Sequence, residues 1–147
     1  MTIDEMTRDI RLYIEEEPEA NYKIVVGSDS ETSNKYTLFV TALIVHRVGK
    51  GARFYYRKLK NKPIKDLSTK IYKETELSLN LIDSLNNKGI ANLLTNWPLE
   101  IHIDIGQQGE TRKLIQEVVG WVGSIGYVVK IKPNSYAASS VADRFTS

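Results

Sequence analysis

The sequence predicts a single α/β domain, residues 1–147, in which a mixed sheet of five strands carries helices on both faces. Three runs rich in β-branched and aromatic residues follow one another between residues 22 and 58 with short polar connections, which predicts an antiparallel meander. After residue 64 the hydrophobic period becomes helical, and helices then alternate with short strands. The length fits one domain of ordinary size.

The first half of the chain predicts one helix and three strands. Thr2 and Glu5 have capping-box spacing, so a leading helix begins there and ends before Pro18 within residues 1–18. The apolar run Ile24–Val26 predicts a strand buried on both faces, which Gly27 ends so that Asp29 stands at its exit. The next two strands are predicted over residues 36–46 and 52–58.

The second half predicts an alternation of helices and strands. In order, the predicted elements are a helix over 64–85, a turn-rich segment over 86–97, a strand over 100–105, a helix over 111–124, a strand over 127–131 and a short helix that Ser140 caps and that holds Asp143. This order places the first strand beside the fourth. Asp29 and Asp104 would then meet at one end of the sheet, where two carboxylates repel each other unless a cation lies between them.

Two further acids are candidates for the same site. Glu74 falls on the apolar side of the predicted helix at 64–85, whereas Glu76 points to another side, so Glu74 is the better candidate. Asp143 has capping-box-like spacing after Ser140, and a purely structural role would also explain it. Asp29 has its own structural alternative, an Asx-type turn with Ser30.

The four acids are all oxygen donors, and the chain has no cysteine and only two histidines. Such a donor set favours a hard divalent cation, Mg²⁺ or Mn²⁺. His102, between two isoleucines, is interpreted as a core histidine rather than a ligand.

The charge is distributed unevenly along the chain. Residues 1–20 hold seven acids and two bases, whereas residues 47–73 hold ten Lys or Arg and the single acid Asp66. The run is interleaved with Phe54, Tyr55, Tyr56 and Tyr72, and this pattern favours a nucleic-acid partner because bases stack on rings and phosphates bind cations. The alternative is an ordinary solvated face. The predicted nucleic-acid-binding residues are Arg47, Lys50, Arg53, Arg57 and Lys58.

The remaining composition bounds the class of protein. The absence of cysteine excludes disulfides and thiolate metal sites. No run approaches the roughly 18 apolar residues of a membrane span, so the sequence predicts a cytoplasmic protein with no membrane association.

The segments VVGSDS, GKGARFYYRK, ETELSLNL, HIDIG, EVVGWVGSIGY and IKPNSYAASSVADR resemble the YkuK family of ribonuclease H-like proteins over residues 22–147. The resemblance implies a ribonuclease H-like fold and metal-dependent hydrolysis of a nucleic-acid phosphodiester in RNA, DNA or a hybrid. It implies that Asp29 bridges two ions whose other ligands are Glu74, Asp104 and Asp143, which are then also the catalytic residues.

One position departs from the family pattern. Phe145 stands where relatives often have a histidine after Asp-Arg. A histidine there would assist proton transfer or product release. The alternative function is therefore a catalytically weak or inactive nucleic-acid-binding module of the same fold.

Overall fold

A five-stranded sheet organises the protein, whose computed structural model describes residues 1–90, 97, 99–103 and 112–131. In chain order the described elements are α1 (Ile3–Glu16), β1 (Tyr22–Thr32), β2 (Thr37–Arg47), β3 (Ala52–Asn61), α2 (Leu67–Asn87), β4 (Leu99–Ile103), α3 (Arg112–Ile125) and β5 (Val128–Ile131).

The strand order is β3-β2-β1-β4-β5. Strands β1, β2 and β3 form the antiparallel meander, while β4 pairs with β1 and β5 pairs with β4 in parallel. The predicted α/β fold with a mixed five-stranded sheet, and the placement of the first strand beside the fourth, are confirmed.

Helix α1 begins at the predicted capping box. The Thr2 hydroxyl accepts a hydrogen bond from the Glu5 N–H, and the Glu5 carboxylate accepts one from the Thr2 N–H, both at 3.1 Å. Met6 and Ile10 then recur at helical spacing and are buried against the sheet.

Helix α2 begins three residues later than the sequence pattern predicts. Asp66 is its N-cap, because its carboxylate accepts hydrogen bonds from the Thr69 N–H at 2.9 Å and the Thr69 hydroxyl at 2.6 Å. The helix continues to Asn87, and Gly89 follows with a φ of +92°, a conformation that favours glycine.

The main core lies on the face of the sheet that we call the helix face, where all three described helices contribute buried residues. The described helices thus lie on one face, whereas the sequence predicted helices on both. The members of this core include Ile24 and Val26 of β1, Leu43 and Val45 of β2, and apolar residues of α1, α2 and α3. On the other side, which we call the open face, Val25, Ala42 and Ile44 form a small second cluster. The predicted last helix, at residues 140 onward, lies outside the described residues.

Strand β1 is longer than predicted. It continues five residues past Gly27, so Asp29 lies inside the strand, paired with Val40, and not at a strand exit. The polar residues of this half stay in the strand because their side chains bond other elements, as described below. Strand β3 likewise extends to Asn61, three residues past its predicted end. None of the described helices is long and apolar enough to cross a membrane.

Candidate functional site

A layer of buried hydroxyls lies beneath the candidate site. The Ser28 hydroxyl is 2.9 Å from that of Thr41 on β2 and 2.8 Å from that of Ser78 on α2. All three residues are buried. Because each hydroxyl has a partner, the layer joins β1, β2 and α2 without leaving those groups unsatisfied.

Two of the predicted metal ligands meet at Ser30, one position further along the helix face of β1. The Ser30 hydroxyl donates a hydrogen bond of 2.5 Å to Glu74 Oε2, and the Ser30 N–H donates one of 2.9 Å to Asp29 Oδ1. A single residue therefore contacts both carboxylates. Asp29 is half-buried and Glu74 is 8% exposed.

Glu74 reaches this position because α2 packs its buried side against β1. It lies one helical turn before Ser78, and both side chains face the strand. Glu76, two residues further on, is exposed and pairs with Lys73 at 3.3 Å. The prediction that Glu74 and not Glu76 lies on the apolar side of this helix is confirmed.

The end of β4 borders the same site. A narrow crevice beside Glu74 is lined by Ser28, Thr75 and Ser78 on one side and by the β4 residues 101–103 on the other. The crevice has no room for a water molecule. The last described residues of β4 therefore pack directly against the layer that holds Glu74.

The donor set of the site can be tested against the predicted cation. Asp29 and Glu74 offer carboxylate oxygens, which fit Mg²⁺ or Mn²⁺. The other two predicted ligands, Asp104 and Asp143, lie outside the described residues. Within the described part of the chain, no group of three or more acids or histidines could hold a metal ion.

His102 is a buried core residue, as the sequence interpretation expects. Its Nε2 lies 3.0 Å from Glu100 Oε2, and Lys23 Nζ is 3.5 Å from the same oxygen. Burial lowers the pKa of His102 below its usual value, although the hydrogen bond to Glu100 opposes this shift. Burial alone would raise the pKa of Glu100, but His102 and Lys23 together lower it.

The predicted nucleic-acid-binding residues do not share one surface. Arg47 is buried, because its guanidinium donates to the Tyr13 carbonyl at 2.6 Å and to the Tyr22 hydroxyl at 3.2 Å. It also lies 4.0 Å from the centre of the Tyr13 ring. These contacts are structural, so the surface that we consider for nucleic acid omits Arg47.

The other four residues are exposed on the β2–β3 hairpin. Lys50 is in the turn and pairs with Glu17 at 2.9 Å. Strand alternation puts Arg53 and Arg57 on the helix face of β3 and Lys58 on the open face. The basic run therefore divides between two sides of one strand.

Sequence reasoning missed the roles of Ser28, Ser30 and Ser78. The signal was available in part, because Ser28 and Ser30 continue the period of two that Ile24 and Val26 begin. Ser78 likewise follows Glu74 by four residues on the buried side of α2. The polar residues of GSDS favour a turn when the sequence is considered alone. The strand is explained only by the partners of Ser28 and Ser30 on β2 and α2.

Comparison with known proteins agrees with this fold. The family described as "Ribonuclease H-like" matches residues 5–147. The chain is 37% identical to "Uncharacterized protein YkuK" of Bacillus subtilis (strain 168) over 161 aligned residues, which cover 99% of this chain and 91% of that protein. No solved structure matches significantly. On the family match and on this relative, the chain belongs to the ribonuclease H-like family.

Proposed function

We propose that the protein is a nuclease that hydrolyses nucleic-acid phosphodiester bonds with Mg²⁺ or Mn²⁺. Membership of the ribonuclease H-like family suggests a nucleic-acid-related function. The observation that supports metal-dependent cleavage is that Ser30 donates hydrogen bonds to both Asp29 and Glu74. These are two of the four acids that the resemblance assigns to a metal site.

The pairing of β1 with β4 supports a third ligand. The parallel register pairs Gly27 with His102. Asp29 comes two residues after Gly27, and Asp104 comes two residues after His102. If the register continues by two residues, the proposal expects Asp104 beside Asp29, with Asp143 completing the set.

In this proposal the protein groups position the reaction. Two ions bound by these acids would supply an activated water and stabilise the leaving oxygen. The Ser30 hydroxyl donates to one oxygen of Glu74 and so orients this carboxylate, whose oxygens are the proposed metal donors. The buried layer of Ser28, Thr41 and Ser78 joins α2 to β1 and β2, which fixes the position of Glu74 next to Ser30.

Cleavage assays with matched variants test this function. End-labelled single strands, duplexes and RNA–DNA hybrids are incubated with Mg²⁺, with Mn²⁺ or with a chelator. We expect Asp29→Asn and Glu74→Gln to reduce cleavage by at least about 100-fold, because each removes a ligand of the reaction centre. Glu76→Gln is the control, since it removes a carboxylate from the exposed side of the same helix.

Two results would contradict the proposal. Equal cleavage by wild type, Asp29→Asn and Glu74→Gln would place the activity at another site. No cleavage of any substrate by wild type, with retained binding, would support the second candidate, a nucleic-acid-binding module of this fold with little or no activity. Phe145 favours this second candidate, because the resemblance implies a histidine at this position.

A further inference from the structure

The open face of β3 carries aromatic rings and amines in alternation. Phe54, Tyr56, Lys58 and Lys60 occupy every second position of this strand, so their side chains leave the sheet on the same side. The register fixes which side this is, because Tyr56 pairs with Ala42, and Ala42 packs with Val25 in the small cluster of the open face.

Both rings are accessible although they are large and apolar. Phe54 is 51% exposed and Tyr56 is 46% exposed, whereas Tyr55, on the helix face between them, is 5% exposed. Folding has therefore buried one aromatic ring of this strand and left its two neighbours at the surface.

Positive charge lies directly beside the rings. Lys58 Nζ is 5.9 Å from the centre of the Tyr56 ring, and Lys60 Nζ is 4.7 Å from that of Tyr36, the residue before β2. Strand β3 contains no acidic residue over its full length. A ligand that uses both features of this surface combines negative charge with flat apolar groups.

Single-stranded nucleic acid has that combination, and the spacing of the rings favours it over a duplex. Alternate residues on a strand lie about 7 Å apart. Bases in a duplex are stacked on each other about 3.4 Å apart and do not offer their faces to a protein. Bases of an extended single strand are splayed and can each stack on a separate ring.

We propose that Phe54 and Tyr56 form a stacking platform for single-stranded nucleic acid, with Lys58 and Lys60 binding its phosphates. The inference rests on the proposed function, since it names the substrate class. It also fits the geometry of the sheet, because Lys58 pairs with Val40 and Val40 pairs with Asp29. Two strand spacings, about 10 Å, separate Lys58 from Asp29 on the same face.

Binding is measured in the presence of a chelator, so that no cleavage occurs, by fluorescence anisotropy of labelled single-stranded DNA, single-stranded RNA and a blunt duplex of equal length. We expect wild type to prefer both single strands to the duplex. Phe54→Leu keeps an apolar side chain but removes the ring face, and it should weaken single-strand binding at least about five-fold. Phe54→Trp should retain it.

The salt dependence of the binding affinity distinguishes the contribution of the rings from that of the amines. Lys58→Ala or Lys60→Ala should lower the slope of log affinity against log salt by about 0.7 for each lost phosphate contact. Phe54→Leu should leave that slope unchanged. Leu59→Ala is the control, because Leu59 is 41% exposed on the helix face of the same strand and should not affect binding.

The outcomes distinguish this inference from the proposed function. If Phe54→Leu binds single strands as tightly as wild type, or if wild type prefers the duplex, the platform is refuted even when the enzyme cleaves. If Phe54→Leu loses single-strand binding while wild type cleaves no substrate, the platform stands and the nuclease proposal fails.

Discussion

Strand β1 has a polar cluster near each of its ends, and the two clusters differ in the charged groups that they contain. At the start of the strand, the Arg47 guanidinium is surrounded by the Tyr13 carbonyl, the Tyr22 hydroxyl and, at 3.8 Å, the Glu16 carboxylate. Near its end, Ser30 holds the carboxylates of Asp29 and Glu74. The first cluster matches a cation with acceptors, whereas in the second Ser30 donates to two acids.

This difference indicates what each cluster is for. A buried cation that is matched with acceptors stabilises the fold, and removing a partner is costly. Two acids that are bonded to one residue offer carboxylate oxygens, which are the donors that a hard divalent cation prefers. We therefore infer that the cluster at the start of β1 is structural. The cluster in the second half of β1 is the one to test for function.

The largest effect on stability should come from the structural end. The Tyr22 hydroxyl donates to the Glu17 carbonyl at 2.7 Å and accepts from Arg47. Tyr22→Phe leaves both groups without this partner, so we expect a loss of about 1–3 kcal/mol in the free energy of unfolding. Urea denaturation of this variant measures the loss.

Tyr36→Phe is the matched control, because no hydroxyl contact is described for Tyr36 and its stability should stay close to that of wild type. Equal stability of Tyr22→Phe and wild type would contradict the structural role of the Arg47 cluster, since the Tyr22 hydroxyl would then contribute nothing to the free energy of unfolding.

A smaller loss is expected at the other cluster. Ser30→Ala removes the hydroxyl that donates to Glu74 and should lower the free energy of unfolding by about 1 kcal/mol, because Glu74 keeps some access to water. Chemical denaturation without metal measures this. Ser68→Ala, at an exposed position in the first turn of α2, should cost nothing. A Ser30→Ala variant as stable as wild type would show that this hydroxyl does not position Glu74.

The smallest expected change is the response to metal, and it separates the two clusters most directly. If Mg²⁺ is present at about three times its dissociation constant, it should stabilise wild type by about 0.8 kcal/mol, which raises the Tm by a few degrees. Asp29→Asn and Asp104→Asn should abolish the rise, and without metal either variant should be at least as stable as wild type.

Tyr22→Phe is the control for the metal response, since it destabilises the fold but leaves the carboxylates in place. It should melt earlier than wild type and keep the full rise. Identical responses to Mg²⁺ in all four proteins would refute a metal site at Asp29.

The sequence predicted the order of elements well because the hydrophobic period changes where the structure changes. It placed Glu74 correctly for the same reason, since helical spacing from Ile71 puts it on the buried side. It failed where partners distant in sequence decide the outcome. Ser28 remains in a strand because Thr41 and Ser78 satisfy its hydroxyl, and no local pattern contains that information.

The prediction that Arg47 belongs to an exposed basic surface failed for a different reason. A count of basic residues cannot distinguish a buried guanidinium from an exposed one. The period of two does give a hint, because Leu43, Val45 and Arg47 lie on one side of β2. What the sequence could not show is that Tyr13 and Tyr22 provide acceptors at that position.

The position of β3 at one edge of the described sheet has a consequence for how copies of the protein meet. An edge strand of ten residues offers its peptide groups to another strand, which is a route to aggregation. Here the edge carries Arg53, Arg57, Lys58 and Lys60, so two such edges repel each other. If the proposed platform binds a polyanion, that ligand would cancel these charges, and the repulsion between edges would then hold only for the unbound protein.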